Sequence, residues 1–351
     1  MAEQISYVLG AAAATPLGST VGENCDALIS GRSAFSPPRH FDAKGRKLGV
    51  DHDLDGGSGS RAFRLLEKLR ASLGFAVPPG TKLFVATTVG GIDLLELGVQ
   101  TDTAREFLLA AERIFGIGNG TLVSAACASG QTAAALAMRA LRRGNCKYAL
   151  VVGGDVTSEF VTEGFSALGA LSKTTCRPYD AARDGLTLGE AAGALLLSSG
   201  PGGAGRITGA AENCDASHIT SPDLSGAMLA EACRAALAGE TPAGVIGHGT
   251  GTKYNDLAEV AALNTLFPED PPPLFSLKGN FGHTLGATGV LQIVLGLEFA
   301  RRGVLPPQAG LDTPMAGANV AKESRKLAGK SLLSLNVGFG GLNSAVVLEA
   351  S

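Results

Sequence analysis

Short apolar runs bounded by glycine or polar residues recur along the chain. Residues 83–87, 121–125, 148–152 and 194–197 are β-branched or otherwise apolar, and their length suits strands buried on both faces. Between two of them, residues 128–143 carry strong helix formers with apolar positions on successive turns, and Arg142, Arg143 and Gly144 suit a helix C-terminus. The pattern predicts strand, sharp turn, helix, strand. The second half repeats it, with 245–247 leading to 256–266, 274–277 to 288–302, and 332–337 to 344–348. Matching the order of elements pairs 124–143 with 276–302 and 148–155 with 333–341. The chain therefore reads as a duplicated α/β unit with a parallel-rich layered sheet. The Gly- and Pro-rich stretch 199–205 is the best boundary, giving an N-terminal half over 1–200 and a C-terminal half over 201–351. That stretch is too short for a flexible linker, so the halves are expected to pack as one body.

Composition narrows the function classes. Hydrophobic residues make up 45% and charged residues 17% of the 351, a balance that fits a large buried core and excludes a disordered chain. The formal charge of -3, with basic residues scattered, gives no field for a nucleic acid backbone. The longest apolar run, 290–297, falls short of the ~20 residues a bilayer crossing needs, so no membrane span is expected. Residues 1–10 lack the basic and apolar regions of a secretory signal, which points to the cytoplasm. Cysteines at 25, 127, 146, 176, 214 and 233 show no C-x-x-C spacing, so neither a metal site nor a disulfide framework is expected. Glycines cluster beside the apolar runs, where tight strand-to-loop turns require them.

Candidate chemistry sits at three of those turns. Cys127 follows the strand 121–125 and precedes the helix, so its sulfur meets the positive end of a helix dipole, where thiolate is favoured. Small neighbours leave room for a substrate. His248 opens His-Gly-Thr-Gly-Thr directly after 245–247, while Lys278 and His283 lie in Ser-Leu-Lys-Gly-Asn-Phe-Gly-His after 274–277. Each alone reads as readily as a packed thiol or a satisfied histidine. Together they can converge at the carboxyl edge of a doubly wound sheet and form a Cys-His-His site.

The motifs Ser124-Ala-Ala-Cys127-Ala-Ser-Gly, Arg177-Pro-Tyr-Asp through Leu-Gly-Glu190, His248-Gly-Thr-Gly-Thr, Lys278-Gly-Asn-Phe-Gly-His283 and Gly338-Phe-Gly-Gly341 resemble the β-ketoacyl synthases in order and context. The opening, from Val8-Leu-Gly-Ala to Ala27-Leu-Ile-Ser-Gly-Arg-Ser, is similar to that family's first strand and helix, so the resemblance spans nearly the whole chain. It implies a thiolase-like fold with layers αβαβα, and a decarboxylative Claisen condensation on thioesters in fatty acid, polyketide or aryl-polyene-type synthesis. Acyl carrier protein would be the partner and would deliver the substrate phosphopantetheine, with no cofactor held by the chain itself. A homodimer is implied, or a heterodimer with a related subunit.

The resemblance also implies residue roles. Cys127 accepts the acyl group, and the backbone N–H groups of Cys127 and Phe339 hold the oxyanion, with Gly340 completing the turn. His248 and His283 donate hydrogen bonds to the enolate oxygen. Lys278 orients His283 and supplies positive charge, with Glu259 behind it. Thr250, Thr252 and His218 bind pantetheine, and Phe339 gates the acyl chain. Asp180, Arg183, Asp184 and Glu190 resemble the family's structural charge network, while His40 and His52 carry no motif.

Departures from the family are local. About 36 residues separate Gly91 from Cys127, fewer than is usual, and 41–73 is also short. Val337 replaces a frequent Phe, and Leu342 a frequent Thr, which leaves a small opening near the gate. Two other functions share these residues: a chain-length-factor-like partner subunit, disfavoured by the intact Cys127, His248 and His283, and a non-elongating acyltransferase or thioesterase, which needs no pair of histidines.

Overall fold

The duplicated order of elements reappears in the strand pairing. The computed structural model describes residues 5–351, so Met1 to Gln4 of the stretch read for a secretory signal lie outside the described residues. The strands are β1 (Ser6–Ala14), β2 (Lys82–Ala86), β3 (Thr121–Val123), β4 (Tyr148–Asp155), β5 (Ala191–Ser198), β6 (Gly205–Cys214), β7 (Gly244–Ile246), β8 (Leu274–Phe275), β9 (Val304–Leu305), β10 (Arg325–Lys326), β11 (Ser331–Gly338) and β12 (Leu342–Ala350). The helices are α1 (Val21–Ile29), α2 (Arg61–Ala71), α3 (Asp93–Glu96), α4 (Thr103–Phe115), α5 (Ser129–Arg142), α6 (Glu159–Ala167), α7 (Ala227–Leu237), α8 (Lys253–Leu266), α9 (Lys278–Phe281) and α10 (Thr288–Arg302).

Ten strands form one sheet in the order β3-β2-β4-β5-β1-β6-β12-β11-β7-β8, while β9 and β10 pair separately. Read inward from its two ends, the sheet repeats itself. β2 pairs in parallel with β3 and β4, as β7 does with β8 and β11. β4–β5 and β11–β12 are antiparallel, and so are β5–β1 and β12–β6. The two halves meet where β1 runs antiparallel to β6, with Tyr7 opposite Arg206.

Helices α5 and α10 touch strands of both halves and each other, so they form a layer between the halves. That position explains why α10 is buried along nearly its whole length and why its sequence is apolar on every face. The apolar run 290–297, too short for a bilayer, belongs to this layer, and among the described residues no helix is long and apolar enough to cross a membrane. Gly130 and Gly289 let the two helices meet at their backbones. A Cβ on Gly289 would lie 2.4 Å from the Gln131 nitrogen, and one on Gly130 would lie 2.6 Å from that of Val290.

Outer layers complete the αβαβα arrangement. α2 and α4 cover the first half through Leu65, Leu66, Leu69 and Phe107, and α7 and α8 cover the second through Leu229, Cys233, Val260 and Leu263. Local signals fix where several of these helices begin. Thr20 and Glu23 form a capping box on α1, Ser60 caps α2, and Asp102 caps α4. β6 was not anticipated: residues 199–204 connect β5 to it, and it continues the sheet directly into the second half.

Candidate active site

The cysteine, the two catalytic-site histidines, the lysine and Phe339 each follow the carboxyl end of a strand that has a parallel neighbour. β3 delivers Cys127, β7 delivers His248, β8 delivers Lys278 and His283, and β11 delivers Phe339. The parallel half-sheets aim these ends at one place, where a cavity of about 410 Å³ is lined by Cys127, His248, His283, Thr250, Thr252 and Phe339.

The nucleophile elbow is tight. Ala126 adopts a left-handed conformation (φ 48°), and the Ser129 hydroxyl accepts from the Ala125 N–H at 2.8 Å and donates to the Thr87 carbonyl at 3.3 Å. This places the Cys127 sulfur two residues ahead of α5. Burial pushes the Cys127 thiol up to about 12, with the Lys278 charge pulling the other way and Asp155 adding to the rise. The expected resting thiolate is therefore corrected. Desolvation outweighs the helix dipole and Lys278, and the sulfur keeps its proton until a substrate arrives.

His283 Nε2 lies 2.9 Å from Cys127 Sγ. The Leu285 N–H, which can only donate, points at His283 Nδ1 at 3.3 Å, so the ring proton is assigned to Nε2, facing the sulfur and the cavity. The His248 ring stands edge-on to that of His283, with centroids 5.3 Å apart. Burial and the Lys278 charge lower both imidazole pKa values well below the usual histidine range, so both rings are neutral at neutral pH. The pair is suited to donating hydrogen bonds to one oxygen and unsuited to carrying positive charge.

Lys278 differs from its expected placement. Its ammonium bonds the His248 carbonyl and lies 3.3 Å from His248 Nδ1, so it orients His248 rather than His283. The chain reverses at Gly282 (φ 81°), which sends His283 away from the α9 turn that carries the lysine. Burial lowers the Lys278 pKa from its ordinary value, and Glu259 opposes that effect. Glu259 accepts from the N–H of Gly249 at 2.6 Å and of His248 at 2.5 Å, so the carboxylate of α8 holds the loop that bears His248. Asp256, which sequence reasoning passed over, does the same for Thr250 at 2.9 Å and Gly251 at 3.2 Å. Its signal was available: two acids three residues apart, Asp256 and Glu259, would lie on one face of a helix.

Thr250 and Thr252 share a hydroxyl–hydroxyl bond of 2.9 Å on the cavity wall, within reach of an amide chain. His218 does not line the cavity. Its Nδ1 accepts from the N–H groups of Thr220 and Ser221 at 3.0 and 3.1 Å, so the imidazole caps its own loop, and Thr220, Ser221 and Pro222 take the wall instead. The pantetheine role expected for His218 is withdrawn on that ground.

Gly338 brings the last turn against the elbow, because a Cβ there would come within 3.1 Å of the Ala125 oxygen and 3.3 Å of the Ala128 nitrogen. Phe339 follows, stacked on Phe165 of α6 with ring centroids 5.8 Å apart. Gly340 (φ 88°) and Gly341 (φ 79°) need left-handed backbone, and the Gly340 N–H donates to the Ile219 carbonyl at 2.7 Å. Val337 lines the cavity beside Phe339. Phe165 carried no motif and was not anticipated.

This geometry can be set beside known proteins. Residues 117–201 match the family Beta-ketoacyl synthase, N-terminal domain, and residues 204–312 match Beta-ketoacyl synthase, C-terminal domain. The chain is 28% identical to the actinorhodin polyketide putative beta-ketoacyl synthase 1 of Streptomyces coelicolor, covering 97% of this chain and 88% of that one. That alignment runs over 409 positions, more than this chain has residues, in keeping with segments that the relative carries and this chain lacks. The 3-oxoacyl-[acyl-carrier-protein] synthase 2 of Staphylococcus aureus is 33% identical over 66% of this chain and 63% of its own length. Among solved structures, the ketosynthase in complex with its chain length factor from Xenorhabdus doucetiae superposes with a TM-score of 0.86 at 26% identity, covering 99% of this chain and 98% of that one. With both domain matches lying over the halves that supply the cysteine and the two imidazoles, the chain belongs to the β-ketoacyl synthase family.

Proposed function

We propose that this protein joins an acyl group held on Cys127 to a malonyl unit carried by acyl carrier protein, in fatty acid or polyketide-type synthesis, aryl polyenes included. The observation that carries the reading is the shared cavity, in which Cys127 Sγ touches His283 Nε2 while the His248 ring stands beside it. The first half of the chain, 1–200, supplies the nucleophile, and the second, 201–351, supplies the two imidazoles and the Phe339 turn.

In the first stage the Cys127 sulfur attacks an acyl thioester. The N–H groups of Cys127 and Phe339 receive the oxyanion, His283 Nε2–H stabilises the sulfur as its charge develops, and the thiol proton leaves with the departing pantetheine sulfur. Stacking on Phe165 lets Phe339 act as the gate through which the acyl chain passes. In the second stage a malonyl thioester occupies the same cavity, its pantetheine amides held by Thr250 and Thr252. The C–C bond to the carboxylate breaks and carbon dioxide departs. The enolate oxygen then accepts from the neutral His248 and His283. The resulting carbon attacks the acyl-Cys127 carbonyl, a C–C bond forms, the C–S bond breaks, and the Cys127 thiolate regains a proton. Neutral imidazoles suit this task because a donor aimed at the developing anion need not be reorganised during the step.

The chain holds no cofactor of its own in this scheme, and phosphopantetheine arrives with the carrier. The Staphylococcus aureus relative is named for acyl carrier protein, and the Xenorhabdus doucetiae ketosynthase is seen with a chain length factor, so a carrier and a second related subunit, identical or not, are the proposed partners. The cytoplasm is the proposed compartment. Purified protein given acyl- and malonyl-carrier thioesters is expected to release carbon dioxide and form a β-ketoacyl product, and His283→Ala is expected to lose both. Acyl transfer without carbon dioxide release by the unsubstituted protein would replace this reading with a simple acyltransferase.

A further inference from the structure

Thr252 stands at the N-terminal cap of α8, where a threonine hydroxyl ordinarily accepts from an N–H of the first turn, yet it makes no such bond. Its hydroxyl pairs instead with that of Thr250 on the cavity wall, and the Thr252 N–H donates to Thr250 Oγ1 at 3.2 Å. The loop that bears the pair is pressed against residues 183–186 of the first half. The Gly185 N–H donates to the Gly251 carbonyl at 3.0 Å. Gly251 (φ 77°) is needed there, because a Cβ would lie 2.9 Å from both the Arg177 nitrogen and the Gly185 oxygen.

Arg183 supplies the grip. Its side chain is 11% exposed and donates in three directions: Nε to the Thr252 carbonyl at 3.2 Å, Nη2 to the Lys253 carbonyl at 3.1 Å, and Nη1 back to its own turn, at the Asp180 carbonyl, at 3.0 Å. A cation at the start of a helix opposes the helix dipole, so this placement needs a compensating charge. Asp256, buried in the first turn of α8, provides it: Oδ2 lies 3.8 Å from Arg183 Nε, while Oδ1 accepts from the Thr250 and Gly251 N–H groups at 2.9 and 3.2 Å. The guanidinium thus holds the carbonyls at one end of the loop and the carboxylate holds the N–H groups at the other. Between them lies a cap hydroxyl that its own helix does not use.

We propose that Arg183 is a positioning residue for pantetheine: by holding the carbonyls of Thr252 and Lys253 it fixes the Thr252 hydroxyl beside that of Thr250, facing the cavity and a substrate amide. The assignment rests on the reading in which Thr250 and Thr252 hold the pantetheine amides. Arg183 touches no substrate itself and acts through the backbone of the loop. The His-Gly-Thr-Gly-Thr motif does not encode this arrangement, because the clamping side chain comes from 69 positions earlier, in the other half of the chain. Its planar fork suits the task, since one guanidinium reaches three carbonyls that a single ammonium would not meet in the same directions.

Two thioesters of one acyl group test it, one on pantetheine and one on ethanethiol, which lacks the amides. The second-order rate constant for Cys127 acylation is read by mass spectrometry with each. In Arg183→Ala that constant is expected to fall about tenfold for acyl-pantetheine, the effect of about one lost hydrogen bond, and by less than about twofold for acyl-ethanethiol. Equal losses with both thioesters would make Arg183 merely structural and overturn the proposal. Arg183→Lys keeps the charge opposite Asp256 without the fork, and the same pantetheine-selective loss is expected of it, so the question is decided even where the alanine variant does not fold. Thr250→Val combined with Thr252→Val tests the underlying reading separately. A selective loss there with none in the Arg183 variants removes the positioning role alone, whereas no selective loss in the threonine variant shows that the pair does not hold pantetheine, and both assignments fall.

Discussion

His283 Nε2 and Cys127 Sγ are 2.9 Å apart in space and 156 positions apart in sequence. The contact exists because α5 and α10, which begin two residues after Cys127 and five after His283, cross at Gly130 and Gly289 with backbones touching. The distance between nucleophile and imidazole is thus set by helix packing behind the site as much as by the turns that bear the side chains.

Gly289→Ala tests that dependence. A Cβ 2.4 Å from the Gln131 nitrogen meets backbone, which cannot move aside as a flexible side chain would. Overpacking of this kind costs about 1–3 kcal/mol, so the thermal midpoint should fall. The rate of Cys127 acylation should fall with it in protein that remains folded, as single-turnover mass spectrometry would report. Unchanged acylation would show that the helix crossing does not set the site.

Gly341→Ala probes the Phe339 turn. The position has φ 79°, and a Cβ would lie 2.8 Å from the Ala216 backbone nitrogen, so the turn must shift. Loss of one oxyanion donor typically lowers turnover ~10²–10³-fold. A decrease of that order in acylation, with little change in carrier-protein binding, is the expected result from stopped-flow acylation and a binding titration.

Asp155 gives a pH signature. Its carboxylate accepts from Thr88 N at 2.9 Å, Val89 N at 3.2 Å and Gly286 N at 2.7 Å, joining the turn behind Cys127 to the turn after His283. Even so, burial raises its pKa from 3.8 to about 6. A folded pKa above the unfolded value means that the group's stabilising contribution is complete below pH ~3.8 and is lost as pH rises through about 6. Relative to Asp155→Asn, the wild-type protein should lose about 3 kcal/mol of stability between pH ~3.8 and pH ~7, measurable as a difference between two denaturation series. A difference that stays flat over that window would show the carboxylate to be ionised throughout.

Much of this was legible in the sequence, for physical reasons that can be named. The strand β3 and the helix α5 were readable because an apolar run ended in small residues before a strong helix former, and Cys127 stood at the break. α10 was readable for the same reason, and its unbroken apolar character reflects its place between two half-sheets. The direction of Lys278 was not, because it depends on a chain reversal at Gly282 that spacing alone does not orient. His218 was misjudged because a histidine in a loop can turn inward to its own backbone as easily as outward to a cavity. The resting state of Cys127 was misread because a helix dipole is visible in sequence order, whereas desolvation appears only when the surrounding atoms are in place. Gln292 offered a signal that went unused: a carboxamide in the middle of an otherwise apolar buried helix must find polar partners.

The central claim is that Cys127 is the acyl acceptor of a site it shares with His248 and His283. Intact-protein and peptide mass spectrometry after brief incubation with an acyl-carrier-protein thioester tests it most directly. One acyl group on Cys127, absent in Cys127→Ala and discharged on adding malonyl-carrier thioester only while His248 and His283 are intact, is the predicted result. An adduct on another of the six cysteines, or discharge that proceeds equally well without the histidines, would contradict the account.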